Sequence, residues 1–74
     1  MNNSVTIHVQ LLNEGSPVAR PTQAIDMGNG LFKVLPIPNY DKAEEVWEYP
    51  PGSIVHCEKR NGIHGEYLYA VAKV

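Results

Sequence analysis

The chain has 74 residues, six basic and eight acidic side chains, and a formal net charge of −2. A chain of this length forms one domain, residues 1–74, and its core is small because it hides only about 60% of the surface exposed on unfolding. The single cysteine excludes an intramolecular disulfide, and one cysteine with three scattered histidines offers no four-ligand zinc site. We therefore expect no metal and no other cofactor.

Charge and hydropathy disfavour nucleic acid and membranes as partners. The basic residues are spread singly along the chain, whereas a protein that binds the nucleic-acid backbone normally has a clustered basic face. After Met1, residues 2–4 are polar and lead directly into a strand pattern, without a basic or apolar leader region. No run of about 18 apolar residues follows. We therefore expect no membrane span and a cytoplasmic location.

The first third of the sequence predicts a β-hairpin. Residues 4–12 alternate between apolar and polar side chains, which is the period of a strand with one wet face. The turn-forming cluster at residues 13–17 should lead residues 18–26 back beside this strand. Pro21 cannot donate to a ladder, so we expect an edge position or a bulge there. A bulge would let Val18 and Ile25 both face inward.

Further strands are predicted in the rest of the chain. The glycine-rich turn at residues 26–30 predicts a second hairpin, with Phe32 and Val34 on the inner face of the next strand. Residues 36–46 are predicted to form a surface loop in which Asp41 caps one short helical turn. We expect two last strands, at residues 53–59 and 66–74, which are separated by a loop at residues 60–65.

Together these elements predict an all-β fold without a substantial helix. Five short strands, joined mostly by tight turns, form a meander that must curl to protect its edges. We expect a small five-stranded antiparallel barrel of the SH3-like type. The stretch Trp47–Val55 would form the entrance to a buried strand, because Pro50 and Pro51 remove backbone donors and Gly52 permits a sharp turn.

One block of the sequence resembles a known family. Residues 47–58 read WEYPPGSIVHCE, and residues 5–60 as a whole resemble a family of small uncharacterised bacterial proteins. Matching positions outside the block are Val9, Leu11, Leu12, Glu14, Gly15, Val18, Arg20, Pro21, Ala24, Gly28, Gly30, Leu31, Tyr40, Asp41 and Glu45. Ala19 departs from the family pattern, which has a larger aromatic residue there, and the stretch after Asn61 matches nothing in it. The resemblance implies no activity, ligand or catalytic residue.

Aromatic residues supply the first candidate binding surface. The candidates are Tyr40, Trp47, Tyr49, Tyr67 and Tyr69. In the last strand Leu68, Ala70 and Ala72 share one face, so tyrosines stand outside if this smaller set lines the core. Rings with polar tips are enriched at recognition surfaces, and small barrels often bind extended peptides. The structural alternative, which we favour for Trp47, is that this side chain fills the core.

Charged residues supply the second candidate surface. The acidic residues Glu44, Glu45 and Glu48 surround Trp47, and Arg20 could clamp this stretch. The Tyr49–Pro50 bond is a candidate for the cis form, since it precedes a strand at a tight turn.

No catalytic constellation is present in the sequence. No nucleophile motif surrounds a serine, and His56 and Cys57 are adjacent on a strand, so they point to opposite faces unless a bulge intervenes. We expect a non-enzymatic module that binds a protein partner or self-associates. One alternative is an acidic inhibitor or immunity-type protein that neutralises a basic partner. Another is a module that binds single-stranded nucleic acid through stacked aromatics.

Overall fold

The computed structural model describes residues 4–74, which contain six β-strands and no helix. The strands are β1 (Ser4–Leu12), β2 (Ala19–Gly28), β3 (Leu31–Val34), β4 (Val46–Trp47), β5 (Ile54–Gly62) and β6 (Gly65–Lys73). Met1, Asn2 and Asn3, on which the expectation of a missing leader partly rests, lie outside the described residues. No helix in the described part of the chain is long and apolar enough to cross a membrane.

Five of the strands close into a ring. Their hydrogen-bonded order is β2-β3-β5-β6-β1, and β1 also pairs with β2, while the short β4 pairs with the end of β1. The all-β class is confirmed. The expectation that every neighbour is antiparallel is wrong at one seam, because β1 and β6 pair in parallel at Ile7 with Leu68 and His8 with Tyr69. The two-residue β4 was not predicted.

The first two hairpins agree with the sequence in their order and turns. β1 and β2 are antiparallel from Ser4 opposite Ile25 to Gln10 opposite Ala19. β2 and β3 are joined by Asn29 and Gly30, which have φ values of 58° and 77°. Positive φ at both central residues is the type I′ geometry that matches the twist of paired strands.

Of the two settings expected for Pro21, an edge position or a bulge, the structure shows the edge position. The β1–β2 register is continuous through Pro21, and the irregularity lies near the end of β2, between Asp26 and Gly28. Pro21 is tolerated because β3 pairs with β2 only from Ala24 onward, which leaves no ladder partner on that side. The inward positions of β2 are Thr22 and Ala24, and the expectation for Val18 and Ile25 was wrong, because both are exposed.

The last hairpin is longer than the sequence suggested. The predicted loop at residues 60–65 shrinks to Ile63 and His64, because β5 continues to Gly62 and β6 begins at Gly65. Gly65 has a φ of 108°, which favours glycine. Strand pairing therefore extends to the tip of this hairpin.

The core lies inside the ring. The buried apolar residues are Ile7, Val9, Leu11, Ala24, Phe32, Val34, Trp47, Val55 and Ala70. The alternating positions predicted for β1 and the inward pair Phe32 and Val34 are thereby confirmed. The one tryptophan is 3% exposed and belongs to this core, as favoured above. Leu68 packs against this core, whereas Ala72 is exposed.

The proline-glycine segment forms a turn into β5. The Ser53 amide donates to the Pro50 carbonyl at 3.0 Å, and Gly52 has a φ of 95°. Pro51 and Gly52 therefore occupy the central positions of a type II turn, where proline and glycine are preferred. No peptide bond in the described part of the chain is cis, so the hypothesis of a cis Tyr49–Pro50 bond was wrong.

Candidate functional site

Two tyrosines of β6 lie on the outside of the ring next to a histidine of β1. The rings of His8 and Tyr67 meet edge to face with centroids 4.9 Å apart, and those of Tyr67 and Tyr69 meet at 6.4 Å. The parallel β1–β6 pairing positions them, because it sets His8 opposite Tyr69. None of the three belongs to the buried core, and all are half-buried.

Polar contacts orient two of these rings, those of His8 and Tyr69. The His8 Nδ1 atom lies 3.3 Å from the Leu68 carbonyl oxygen, and since a carbonyl only accepts, Nδ1 carries the proton. The Tyr69 hydroxyl donates to Gln10 Oε1 at 3.3 Å. Both contacts join β6 to β1. These contacts orient the His8 and Tyr69 rings, while part of each ring stays open to solvent.

A cation covers one of the two tyrosines. The guanidinium carbon of Arg60 lies 4.0 Å from the centroid of Tyr69, which is a cation–π contact. Arg60 Nε also donates to Glu58 Oε1 at 2.8 Å, and this bond raises the pKa of Arg60. Glu58 and Arg60 face the same side of β5 as the tyrosines face on β6, since cross-strand partners share a side. We call His8, Glu58, Arg60, Tyr67 and Tyr69 the tyrosine face.

A shallow groove adjoins the tyrosine face. Its volume is about 350 Å³, and its lining is largely apolar and aromatic. The hairpin tip from Gly62 to Glu66 forms one wall, and His8 and Ala19 contribute from β1 and β2. Ile63 at the tip is 96% exposed, so a large apolar side chain stands in water beside the groove. Exposed apolar surface next to a groove is typical of an interaction site.

The predicted clamp between Arg20 and the acidic stretch is present, and its acceptor is Glu45. Arg20 Nε donates to Glu45 Oε1 at 3.1 Å, and a second guanidinium nitrogen of Arg20 pairs with Glu45 Oε2. The Trp47 indole nitrogen donates to the same carboxylate at 2.9 Å. The hydrogen bond from Arg20 and then that from Trp47 lower the pKa of Glu45. We call Arg20, Glu45 and Trp47 the clamp.

The remaining candidates cluster around the clamp. The Tyr40 ring meets that of Trp47 edge to face with centroids 4.9 Å apart, and Tyr49 packs against the core. Burial, and then neighbouring Glu48, raise the pKa of Tyr49. Glu44 and Glu48 are exposed. Asp41 Oδ1 accepts from the Ala43 amide at 2.8 Å, so Asp41 caps its turn as predicted.

Thiol and metal chemistry find little support in the geometry. Cys57 is partly buried, and burial raises the pKa of its thiol to about 11. A register irregularity lies between His56 and Cys57. Even so, residues 4–74 contain no cluster of three or more histidine, cysteine or acidic side chains that could hold a metal ion.

The structure divides the predicted site residues into two groups. Tyr67 and Tyr69 stand on the outer face, as expected, whereas Tyr40, Trp47 and Tyr49 pack on the core and do not extend that surface. The contributors to the face and its groove that were missed include His8, Glu58, Arg60 and Ile63. Their shared signal is proximity to the tyrosines across strands, which depends on register. No family model, no curated protein and no solved structure matches the chain.

Proposed function

We propose that this chain is a non-enzymatic protein-binding or self-associating module and that the tyrosine face with its groove is the contact surface. The observation that supports the proposal is that His8, Tyr67 and Tyr69 expose ring surface outside the core while ring contacts and hydrogen bonds orient them. Aromatic side chains give recognition surfaces large contact area, with little entropy lost on binding when they are already ordered.

Two expectations from the sequence enter this proposal. We propose that the ring of five strands is a small SH3-like barrel, which is supported by its closure and by the core inside it. The cytoplasmic location and the relation to the bacterial family are supported by the sequence pattern alone.

The acidic-inhibitor alternative ranks second. It needs carboxylates that are available to a basic partner, but the Glu45 carboxylate is bound to Arg20 and Trp47. Asp41 is also engaged in capping its own turn. Glu44 and Glu48 are exposed but carry only part of the charge that the mechanism requires.

Binding of single-stranded nucleic acid ranks third. A nucleobase could stack on an exposed ring of the tyrosine face. However, Arg60, the basic residue of the tyrosine face, is already paired with Glu58, and phosphate contacts need available cations.

The test is residue-resolved binding in a cell extract. Amide NMR signals of the labelled protein at the tyrosine face should broaden or shift when extract is added, and protease treatment of the extract should remove the effect. The Tyr67→Ser/Tyr69→Ser variant should not respond, whereas Met27→Ser, at an exposed position of the β2–β3 turn region, should respond like the wild type. Changes that survive protease but not nuclease, or changes centred elsewhere, would contradict the proposal.

A further inference from the structure

The end of the β5–β6 hairpin stands apart from the ring. β3 pairs with β5 only from Ile54 to His56, and β1 pairs with β6 only at Leu68 and Tyr69. Residues 58–67, which we call the arm, therefore pair almost entirely with each other. An isolated two-stranded hairpin is marginal in water. The arm gains support at its base from the His8 ring, while its tip holds Ile63 in water.

One acid and one base on the same side of the arm make that side complementary to a second copy of itself. Glu58 and Arg60 lie two residues apart on the same side of β5, beside the tyrosines. Lys59 points to the opposite side of the arm, where it lies 3.9 Å from Glu66. If a two-fold axis sets two arms antiparallel with their tyrosine faces together, each Glu58 meets Arg60 of the other copy. The symmetry then gives two Glu58–Arg60 pairs, through which the two faces attract each other.

We propose that the partner recognised by the tyrosine face is a second copy of this chain, bound through the antiparallel apposition of two arms. This inference rests on the proposed function and names the occupant of its surface. In this register Tyr67 of each copy also faces Tyr69 of the other, because these residues lie opposite Arg60 and Glu58 in the hairpin, so the two-fold contact covers exposed ring surface on both copies.

Other occupants fit this surface less well. Addition of a strand to the unpaired edge of β5 is disfavoured because Glu58, Lys59 and Arg60 follow one another there, and charged residues protect edges from pairing. A nucleic-acid backbone would bring phosphate groups against the Glu58 carboxylate, which repels them. A second copy related by a two-fold axis places its Arg60 opposite Glu58 and its Glu58 opposite Arg60.

The size of the surface predicts a weak dimer. The chain exposes 5044 Å² in total, and a standard stable interface takes about 800 Å² from each partner. The arm is only ten residues long and presents one face, so its contact falls below that standard. We expect reversible dimers, whose population rises with protein concentration.

The test is sedimentation of the wild type and of charge-reversed variants from about 10 µM to about 1 mM, where weak interfaces associate. The apparent mass of the wild type should rise with concentration from 8.2 kDa toward twice that value. Glu58→Arg and Arg60→Glu should each weaken self-association about tenfold or more, because like charges then meet across the axis. Lys59→Glu, a reversal on the other side of the same strand, should leave self-association within about twofold of wild type.

Mixing separates this contact from effects inside one chain. Glu58→Arg places two basic residues at positions 58 and 60, and Arg60→Glu places two acidic residues there. An equimolar mixture should therefore form heterodimers, although neither variant self-associates. A wild type that stays at 8.2 kDa throughout, a mixture that stays monomeric, or a Lys59→Glu effect as large as that of Arg60→Glu would overturn the inference. The broader proposal of a protein-binding surface is tested separately. It fails if no protein, either in the extract or a second copy of this chain, perturbs the tyrosine face.

Discussion

Arg20 of β2 and Glu45 of the loop before β4 form an ion pair with two contacts, although 25 positions separate them in the sequence. Glu45 also accepts from the Trp47 indole at 2.9 Å. One carboxylate therefore ties the 36–45 loop both to the ring and to the largest side chain of the core. Two parallel contacts make full use of the planar guanidinium, which lysine cannot reproduce.

Arg20→Lys should lower the free energy of unfolding by about 1 kcal/mol. It keeps the charge but loses the two-contact geometry, and we keep the expected loss small because the Arg20 side chain is 39% exposed and its pair is partly screened by solvent. Urea unfolding followed by circular dichroism measures the change. Lys42→Arg, a neutral exchange at an exposed loop position, is the control and should leave the midpoint unchanged. An unchanged midpoint in Arg20→Lys would show that the clamp does not stabilise the fold.

Acid should remove the contribution of Glu45 to stability. Its pKa is lowered in the folded protein, so the folded state binds the proton less readily than the unfolded state. The contribution is present above the ordinary glutamate pKa of about 4.3 and is lost as the pH falls through the folded-state pKa. Thermal melts should show that Glu45→Gln is less stable than wild type at pH 7 and that the gap narrows below about pH 4.

The matched control for this pH profile is Glu44→Gln. Glu44 is exposed, and its side chain makes no hydrogen bond or ion pair within residues 4–74. Its melting temperature should follow that of the wild type across the pH range. A gap between wild type and Glu45→Gln that stays constant on acidification would refute the assigned role of Glu45.

The fluorescence of Trp47 reports whether the core closes as described. Trp47 is 3% exposed and packs edge to face with Tyr40. Its emission should be blue-shifted in the native state and protected from iodide, and both properties should disappear on unfolding. Trp47→Ala should cost about 3–5 kcal/mol, which is enough to unfold a domain this small. Native emission that resembles that of free tryptophan would contradict the burial.

The thiol of Cys57 should react slowly in the native protein. Burial raises its pKa to about 11, so the thiolate is scarce near pH 8. Iodoacetamide should label native Cys57 far more slowly than the same protein in urea, measured by intact mass. Equal rates in the two conditions would mean that the thiol is neither buried nor shifted.

Local patterns were sufficient to predict most strands. The alternation in residues 4–12, the positive-φ formers Asn29 and Gly30, and the Pro51–Gly52 turn each specify a local conformation, and each adopts it. The end of β5 was missed because Asn61 and Gly62 are typical of turns, while their pairing with β6 is set by the hairpin as a whole.

The site was harder to predict because it depends on pairing between distant strands. Tyr67 and Tyr69 were identified from their period-two spacing. His8 joins them only because β1 and β6 pair in parallel, across 60 positions, and no local pattern specifies that neighbour. Glu45 was one of three acidic candidates for Arg20, and the choice among them depends on the path of the 36–45 loop.

The most direct test of the tyrosine face as a protein-binding surface is covalent capture in living cells. A benzoylphenylalanine placed at Ile63, beside the groove, is compared with one placed at Met27, which is also exposed but belongs to β2 and lies outside the groove. We expect light to produce a protein adduct at position 63, and an adduct with a second copy if the arms associate, with little or none at position 27. Equal adducts at both positions, or adducts with nucleic acid alone at position 63, would contradict it.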